Sequence, residues 1–290
     1  MQYLVRHRTV YHYLQDVSYS CHLAHLIPRE TAAQRVSSVA LALTPAPAQR
    51  FRRQDYFGNI SEWFAIDHPH RTLELVTESR VTVSPRDDDA AAQAPEWETV
   101  RAMIEQARDP HACEAVQYVF DSPLTAFTGK LADYASESLT PGRSLLDGVA
   151  ELTTRIHADF RYDTTVTDAT TPVDRVFEIK AGVCQDLAHV GIACLRALGL
   201  AARYVSGYLL TEPPPGQPRL LGADASHAWF SVFVPPLGWV DFDPTNDVRP
   251  GEGHVTLAWG RDYADVAPLN GVVTGGGDHV VEVGVDVVPV

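Results

Sequence analysis

Cys184 stands where thiol chemistry is simplest to build, because it opens the run Cys184-Gln185-Asp186-Leu187 at the start of a segment patterned as a buried helix. A thiol attacks as its thiolate, a form favoured by the partial positive charge of a helix N-terminus and by a neighbouring imidazolium. Two later residues can complete the set: His227 at the start of a strand-like run, and Asp243 at the end of the next, before Pro244-Thr245. The imidazole would take the thiol proton and later pass it to a leaving amine, while the carboxylate would fix the tautomer and stabilise the cation. The backbone N–H of Cys184 is expected to act as one oxyanion donor. These residue types in this order predict acyl transfer at an amide bond through a thioester.

The neighbours carry open alternatives. Asp186 either points into a cleft or caps the first helical turn, where an acid favours the dipole. Trp229 and Trp239 either shield the His–Asp pair from water, line the acyl-donor cleft or pack in the core, and Tyr208 has the same ambiguity. His189 lies five residues after Cys184, which turns it about 140° away from the thiol, so it is expected to pack rather than to act as the base. Cys194, between Ala193 and Leu195, is expected to be structural, as are Cys21 and Cys113. Cys21, His22, His25, His68 and His70 lack the paired spacing of metal motifs, and Gly275-Gly276-Gly277 lacks the Lys and Ser/Thr of a phosphate loop. No metal and no cofactor are expected.

The elements that must position these groups follow from hydrophobic period. The span 182–198 is apolar on most sides and stops at Gly199, as a central helix would. Strands are expected over 202–210, 226–234 and 238–243, the last two joined by the turn Pro235-Pro236-Leu237-Gly238. Across that hairpin Asp243 must share parity with an odd-numbered residue such as Trp229 or Ser231; pairing with Ala228 or Phe230 would turn it away from His227. Trp97, Val100 and Ile104, and then Leu145, Val149, Leu152 and Ile156, recur at helical spacing. Before them, Leu73, Leu75, Val81 and Val83 share one strand face, and Tyr3–Tyr13 and Asn59–Ile66 are rich in β-forming residues. The Pro- and Asp-containing run 84–92 reads as a connection, the proline-rich insert 212–218 as a surface loop, and the alternating tail 279–290 as a strand with one buried face that joins the N-terminal sheet.

The segments AGVCQDLAHV and ASHAWFSVFVPPLGWVDFDPTN resemble the core of the transglutaminase-like superfamily, a papain-like cysteine-hydrolase fold. Cys184 falls on the family nucleophile, His227 on the His of its H-A-W element and Asp243 on the Asp of its D-P-T element. Asp55-Tyr56-Phe57-Gly58-Asn59 and Ala258-Trp259-Gly260-Arg261-Asp262-Tyr263 extend the resemblance to a bacterial subgroup of transglutaminase-like cysteine proteases. The resemblance implies an α+β, papain-like core with the nucleophile on a helix and the His and Asp on an antiparallel sheet; with the connection at 84–92, the expected organisation is an N-terminal antiparallel β domain over 1–84, a helical connection over 85–140, a catalytic core over 141–260 and a tail over 261–290 whose strand joins a sheet. Within that superfamily the same chemistry serves peptide or amide hydrolysis and protein-glutamine transamidation, and some members are inactive scaffolds; hydrolysis of a peptide or protein substrate is the leading expectation.

Composition narrows the partners. At 290 residues, 45% hydrophobic and 21% charged, the chain can bury a sizeable core. Its 23 basic and 37 acidic residues give −14 at pH 7, a field that repels phosphate backbones and anionic membranes, so nucleic acid is not an expected partner. No apolar run approaches the ~18 residues of a membrane span. Four irregularly spaced cysteines fit a reducing compartment, and a cytoplasmic location is expected.

Overall fold

The organising element is β1 (Gln2–Ala24), a 23-residue strand that holds neighbours on both sides along its whole length. A register shift between His12 and Val17 divides it. Its first half lies between β5 (His70–Val83) and β13 (His279–Pro289), and its second half between β4 (Ile60–Ile66) and β12 (Leu269–Gly275). With β2 (Gln34–Thr44) and β3 (Gln49–Gln54) the order is β2-β5-β1-β4-β3, all antiparallel. This is a computed structural model that describes residues 1–85, 94–108, 110–211 and 225–290. The insert 212–218 lies outside them, as does the connection 84–92 apart from Ser84 and Pro85.

The chain returns to β1 through Gly275, Gly276 and Gly277, whose φ angles of 92°, 81° and 63° form a reversal that other residues resist. The tail strand β13 then pairs with β1 from His279 to Pro289. Its expected buried face exists only in part: Val285 and Val287 are buried, but Val281 and Val283 are 42% and 57% exposed. Only the end of β13 reaches the second sheet, where Val285 and Val287 join one core with Tyr3, Val5 and the helices.

That second sheet has the order β10 (Gly238–Phe242), β9 (Ala225–Val234), β8 (Ala202–Leu209), β11 (His254–Gly260), all antiparallel. Its even-numbered side chains, Tyr204, Phe230 and Val232 among them, are buried towards α6 (Cys184–Ala197). Gly191 permits the close approach, since a Cβ there would lie 2.6 Å from a Phe230 ring carbon. The helix stops at Gly199, with φ +78°. Around α6 stand α1 (Trp97–Gln106), α2 (Pro110–Val116), α3 (Gly129–Ser138), α4 (Leu145–Asp159) and α5 (Val173–Ile179), and the short parallel pair β6 (Arg161–Tyr162) and β7 (Ala181–Gly182) leads into it. Hydrophobic period did not foresee β11, whose alternation is broken by a bulge between Thr256 and Ala258.

β11 is an edge strand, and two side-chain amides from the N-terminal sheet region occupy its outer side. Gln34 accepts from the Thr256 N–H at 2.8 Å and donates to the Thr256 carbonyl at 2.7 Å. Asn59 does the same at Trp259, accepting at 3.0 Å and donating at 2.8 Å. Each carboxamide thus behaves as one more rung of the ladder and leaves no free edge at that point. Asp55 holds Asn59 in place by accepting from its backbone and side-chain N–H groups, both at 2.8 Å. The turn 55–59 and the run 258–263, which the sequence singled out separately, therefore meet at one junction. Asn59→Ala would strand the Trp259 N–H and carbonyl, so urea denaturation should show a loss of about 1–3 kcal/mol. Gln49→Ala on exposed β3 should be near neutral; equal effects of the two would dismiss the junction as a stabilising element.

Candidate active site

Helix α6 begins at Cys184 because the turn before it is capped from within. The Asp186 carboxylate accepts from the Val183 N–H at 2.8 Å and from the Thr167 hydroxyl at 2.7 Å. Gly182 makes room, since a Cβ there would sit 2.5 Å from Asp186 Oδ2. Of the two alternatives for Asp186, the structure shows the cap, not a cleft-lining acid. Burial raises its pKa, against the two hydrogen bonds. The partly exposed Cys184 occupies the first helical position, where backbone N–H groups have no intrahelical acceptor.

The Cys184 thiol lies beside the His227 ring, close enough to raise the pKa of the imidazole. His227 Nε2 lies 2.7 Å from Asp243 Oδ2, which leaves Nδ1 as the ring nitrogen for the thiol. The hairpin places Asp243: its register, ending at Phe242 opposite Phe230, carries Asp243 across from Trp229, the odd parity that a His–Asp contact requires. Beyond the strand the segment Pro244-Thr245-Asn246 folds back, and Asp243 Oδ1 accepts from the backbone N–H groups of Thr245 and Asn246 at 3.0 and 3.3 Å. Oδ2 accepts from His227, from Asn246 Nδ2 at 2.7 Å and from His254 Nε2 at 3.2 Å.

These donors make Asp243 a stable buried anion. Burial opposes its charge, but the hydrogen bonds from His227, His254 and Asn246 hold it well below the usual carboxylate range. For His227 burial again opposes the charge, yet the hydrogen bond with Asp243, the adjacent Cys184 and the charges of both push its pKa up to about 9. The imidazole is therefore cationic at neutral pH, beside a thiol at a helix N-terminus.

His254 and Asn246 were not foreseen as members of this network. Asn246 directly follows the D-P-T run, whereas His254 sits on the bulged strand that periodicity could not find. His254 Nδ1 accepts from the Gly251 N–H at 3.4 Å, which orients its Nε2–H towards Asp243. Trp229 is fully buried, with its ring 6.1 Å from His227 and edge-on to His254 at 5.3 Å, so it screens the pair from water. For two of the aromatic residues with open alternatives, the structure shows packing. Tyr208 is buried with its hydroxyl 2.9 Å from His7 Nδ1, because the N-terminal sheet covers that end of β8. Trp239 packs edge-on against Tyr118, with Arg203 over its face, away from the thiol.

The packing expectation for His189 holds: its Nε2 accepts from the Tyr263 N–H at 3.1 Å, and burial lowers its pKa to about 4. Cys194 is wholly buried, and burial pushes its thiol up to about 12. All four cysteines are free. Among the described residues, the one group with metal-ligand types within 4.8 Å is His227, Asp243 and His254, whose ligand atoms already bond one another.

Residues 131–244 match the transglutaminase-like superfamily, and residues 3–82 match the bacterial transglutaminase-like N-terminal region. An uncharacterised protein of Mycobacterium tuberculosis is 41% identical over 296 residues, spanning 99% of this chain and 93% of the relative. The chain belongs to the transglutaminase-like superfamily. The fold of this transglutaminase-like protein is shared over its whole length with a crystal structure from Cytophaga hutchinsonii, described as a candidate cysteine protease, at a TM-score of 0.78 and 22% identity over 91% of that chain. A segment of 102 residues, 33% of this chain and 15% of the relative, is 35% identical to the protein-glutamine gamma-glutamyltransferase of Pseudomonas aeruginosa.

The raised pKa of His227 gives a pH dependence with a defined sign. A folded value of about 9 against an ordinary 6.5 adds stability that is fully present below 6.5 and is lost as pH rises through 9. The stability difference between wild type and His227→Gln, followed by urea denaturation, should be flat below pH 6 and should shrink between about pH 6.5 and 9. A constant difference across that range would show that the native imidazole is not held as a cation.

Proposed function

We propose that this transglutaminase-like protein is a cysteine-dependent acyl-transfer enzyme that hydrolyses peptide or amide bonds. The observation that carries the reading is the alignment of Cys184, His227 and Asp243, with the thiol beside the imidazole and the imidazole bonded at 2.7 Å to a carboxylate whose oxygens are otherwise met by donors.

In this reading the Cys184 thiolate attacks the substrate carbonyl carbon, and the oxygen charge that develops is met by the Cys184 N–H at the helix start. As the tetrahedral intermediate collapses, the C–N bond breaks and His227 gives its proton to the leaving amine. Water then attacks the thioester, His227 takes its proton, and collapse releases a carboxylic acid and restores the thiolate–imidazolium pair. Asp243 stays ionised throughout and holds Nε2–H, so that Nδ1 exchanges the proton. His254 and Asn246 are positioning residues that act through Asp243.

Hydrolysis is preferred because water needs no binding subsite, whereas transamidation requires a second site for an amine. The local likeness to a protein-glutamine gamma-glutamyltransferase favours transamidation as the second reading. Both are tested on unfolded casein with and without a fluorescent primary amine, by following new N-termini, ammonia and incorporated label. New N-termini or ammonia without label would support hydrolysis, and label incorporation would replace it with transamidation. Cys184→Ala should abolish turnover, and Asp243→Asn should lower it by about 10³–10⁴-fold. His254→Phe should lower it less and displace the acidic limb of the pH–rate profile, which a purely packing role would leave in place. Turnover retained in Cys184→Ala would overturn the proposal.

A further inference from the structure

The face of the β8–β11 sheet opposite α6 is not packed solid. Between it and the N-terminal segment 31–34 lies a cavity of about 670 Å³, within the size range of small-molecule sites. Its lining includes three of the five tryptophans, Trp229, Trp239 and Trp259, together with Arg203, Arg249 and His254. Cys184 and His227 do not line it.

The polar groups there are dominated by donors. Trp229 is completely buried and Arg203 is 6% exposed. The indole N–H groups of Trp229 and Trp259 and the Nε–H of Arg203 are buried without a hydrogen-bond partner. An unmet buried donor costs about 1–3 kcal/mol, and three such donors belong to residues that line this one cavity. The charge has the same sense. The Arg203 guanidinium is held between Trp239 and Trp259, at 4.2 and 3.7 Å from the ring centroids, and Arg29 covers the other face of Trp259 at 3.3 Å. Asp241 is the one carboxylate in the lining; it accepts from the Ser231 hydroxyl and its charge also acts on Arg203, so a bound anion would share Arg203 with it. Aromatic walls with cationic edges and orphan N–H groups fit a planar or apolar body that ends in an anion.

We propose that this cavity binds an organic anion, a carboxylate carried on an apolar or aromatic body, at a site separate from the Cys184 thiol. The carboxylate accepts from Arg203 and the indole N–H groups, and the body lies against the tryptophan rings. The cavity shares Trp229 and His254 with the surroundings of Asp243, but neither Cys184 nor His227 lines it, so the inference does not depend on the reaction proposed above.

The test uses the full chain and two shape-matched probes, 4-phenylbutyrate and its neutral amide 4-phenylbutanamide, followed by calorimetry and by tryptophan fluorescence. The acid should bind saturably and at least about tenfold more tightly than the amide, as expected for a charge-assisted contact. Its affinity should be unchanged after Cys184 is capped with iodoacetamide. Arg203→Met, if folded by circular dichroism, should bind the acid no better than the amide; should it not fold, the comparison of acid and amide on wild type still decides. Equal affinities for the two probes, no saturation by either up to about 10 mM, or loss of binding on capping Cys184 would each overturn the proposal.

Discussion

The candidate site depends on one buried charge. Asp243 has no exposure to water, so its anion survives only because five donors, three from side chains and two from the backbone, reach its two oxygens. That requirement organises a wide stretch of chain. β9 brings His227, β10 brings Asp243, the turn beyond it brings Asn246, and β11 brings His254. With its anion secured, Asp243 holds His227 as a cation, and the cation faces a thiol at the start of α6. Removing any donor leaves the carboxylate less well compensated, which is why residues that never reach a substrate can still matter to the chemistry.

The same logic explains why the two sheets are joined as they are. His254 sits on an edge strand, and its position relative to Asp243 depends on where that strand lies. Gln34 and Asn59 hold the outer side of β11 through paired amide hydrogen bonds with Thr256 and Trp259. The N-terminal sheet region thus fixes the strand that supplies the third side-chain donor to Asp243. Its closure around the back of the β8–β11 sheet also creates the cavity with its tryptophan walls.

Much of this was legible in the sequence, for identifiable reasons. The helix from Cys184 and the hairpin around Pro235-Pro236 have strong period and strong stop signals, and parity alone placed Asp243 on the face it occupies. Asp186 was ambiguous because a first-turn acid can cap or point outwards, and only its hydrogen bonds from the Val183 N–H and the Thr167 hydroxyl decide between them. Tyr208 and Trp239 stayed open because an aromatic residue on a strand next to a site looks the same whether it lines a cleft or meets another sheet. His254 was invisible: a bulge destroys the alternation that marks a strand, and its partner is distant in sequence.

The proposed chemistry requires that His227 activate the Cys184 thiol as a nucleophile. It is tested most directly by intact-mass analysis of limiting iodoacetamide labelling from pH 5 to 9, with the modified cysteine mapped, in wild type and His227→Ala. The account predicts that Cys184 is labelled ahead of Cys21, Cys113 and Cys194, that labelling persists towards pH 5, and that this acidic reactivity vanishes in His227→Ala. Labelling of Cys184 that rises only in the alkaline range, with the same profile in both proteins, would contradict it.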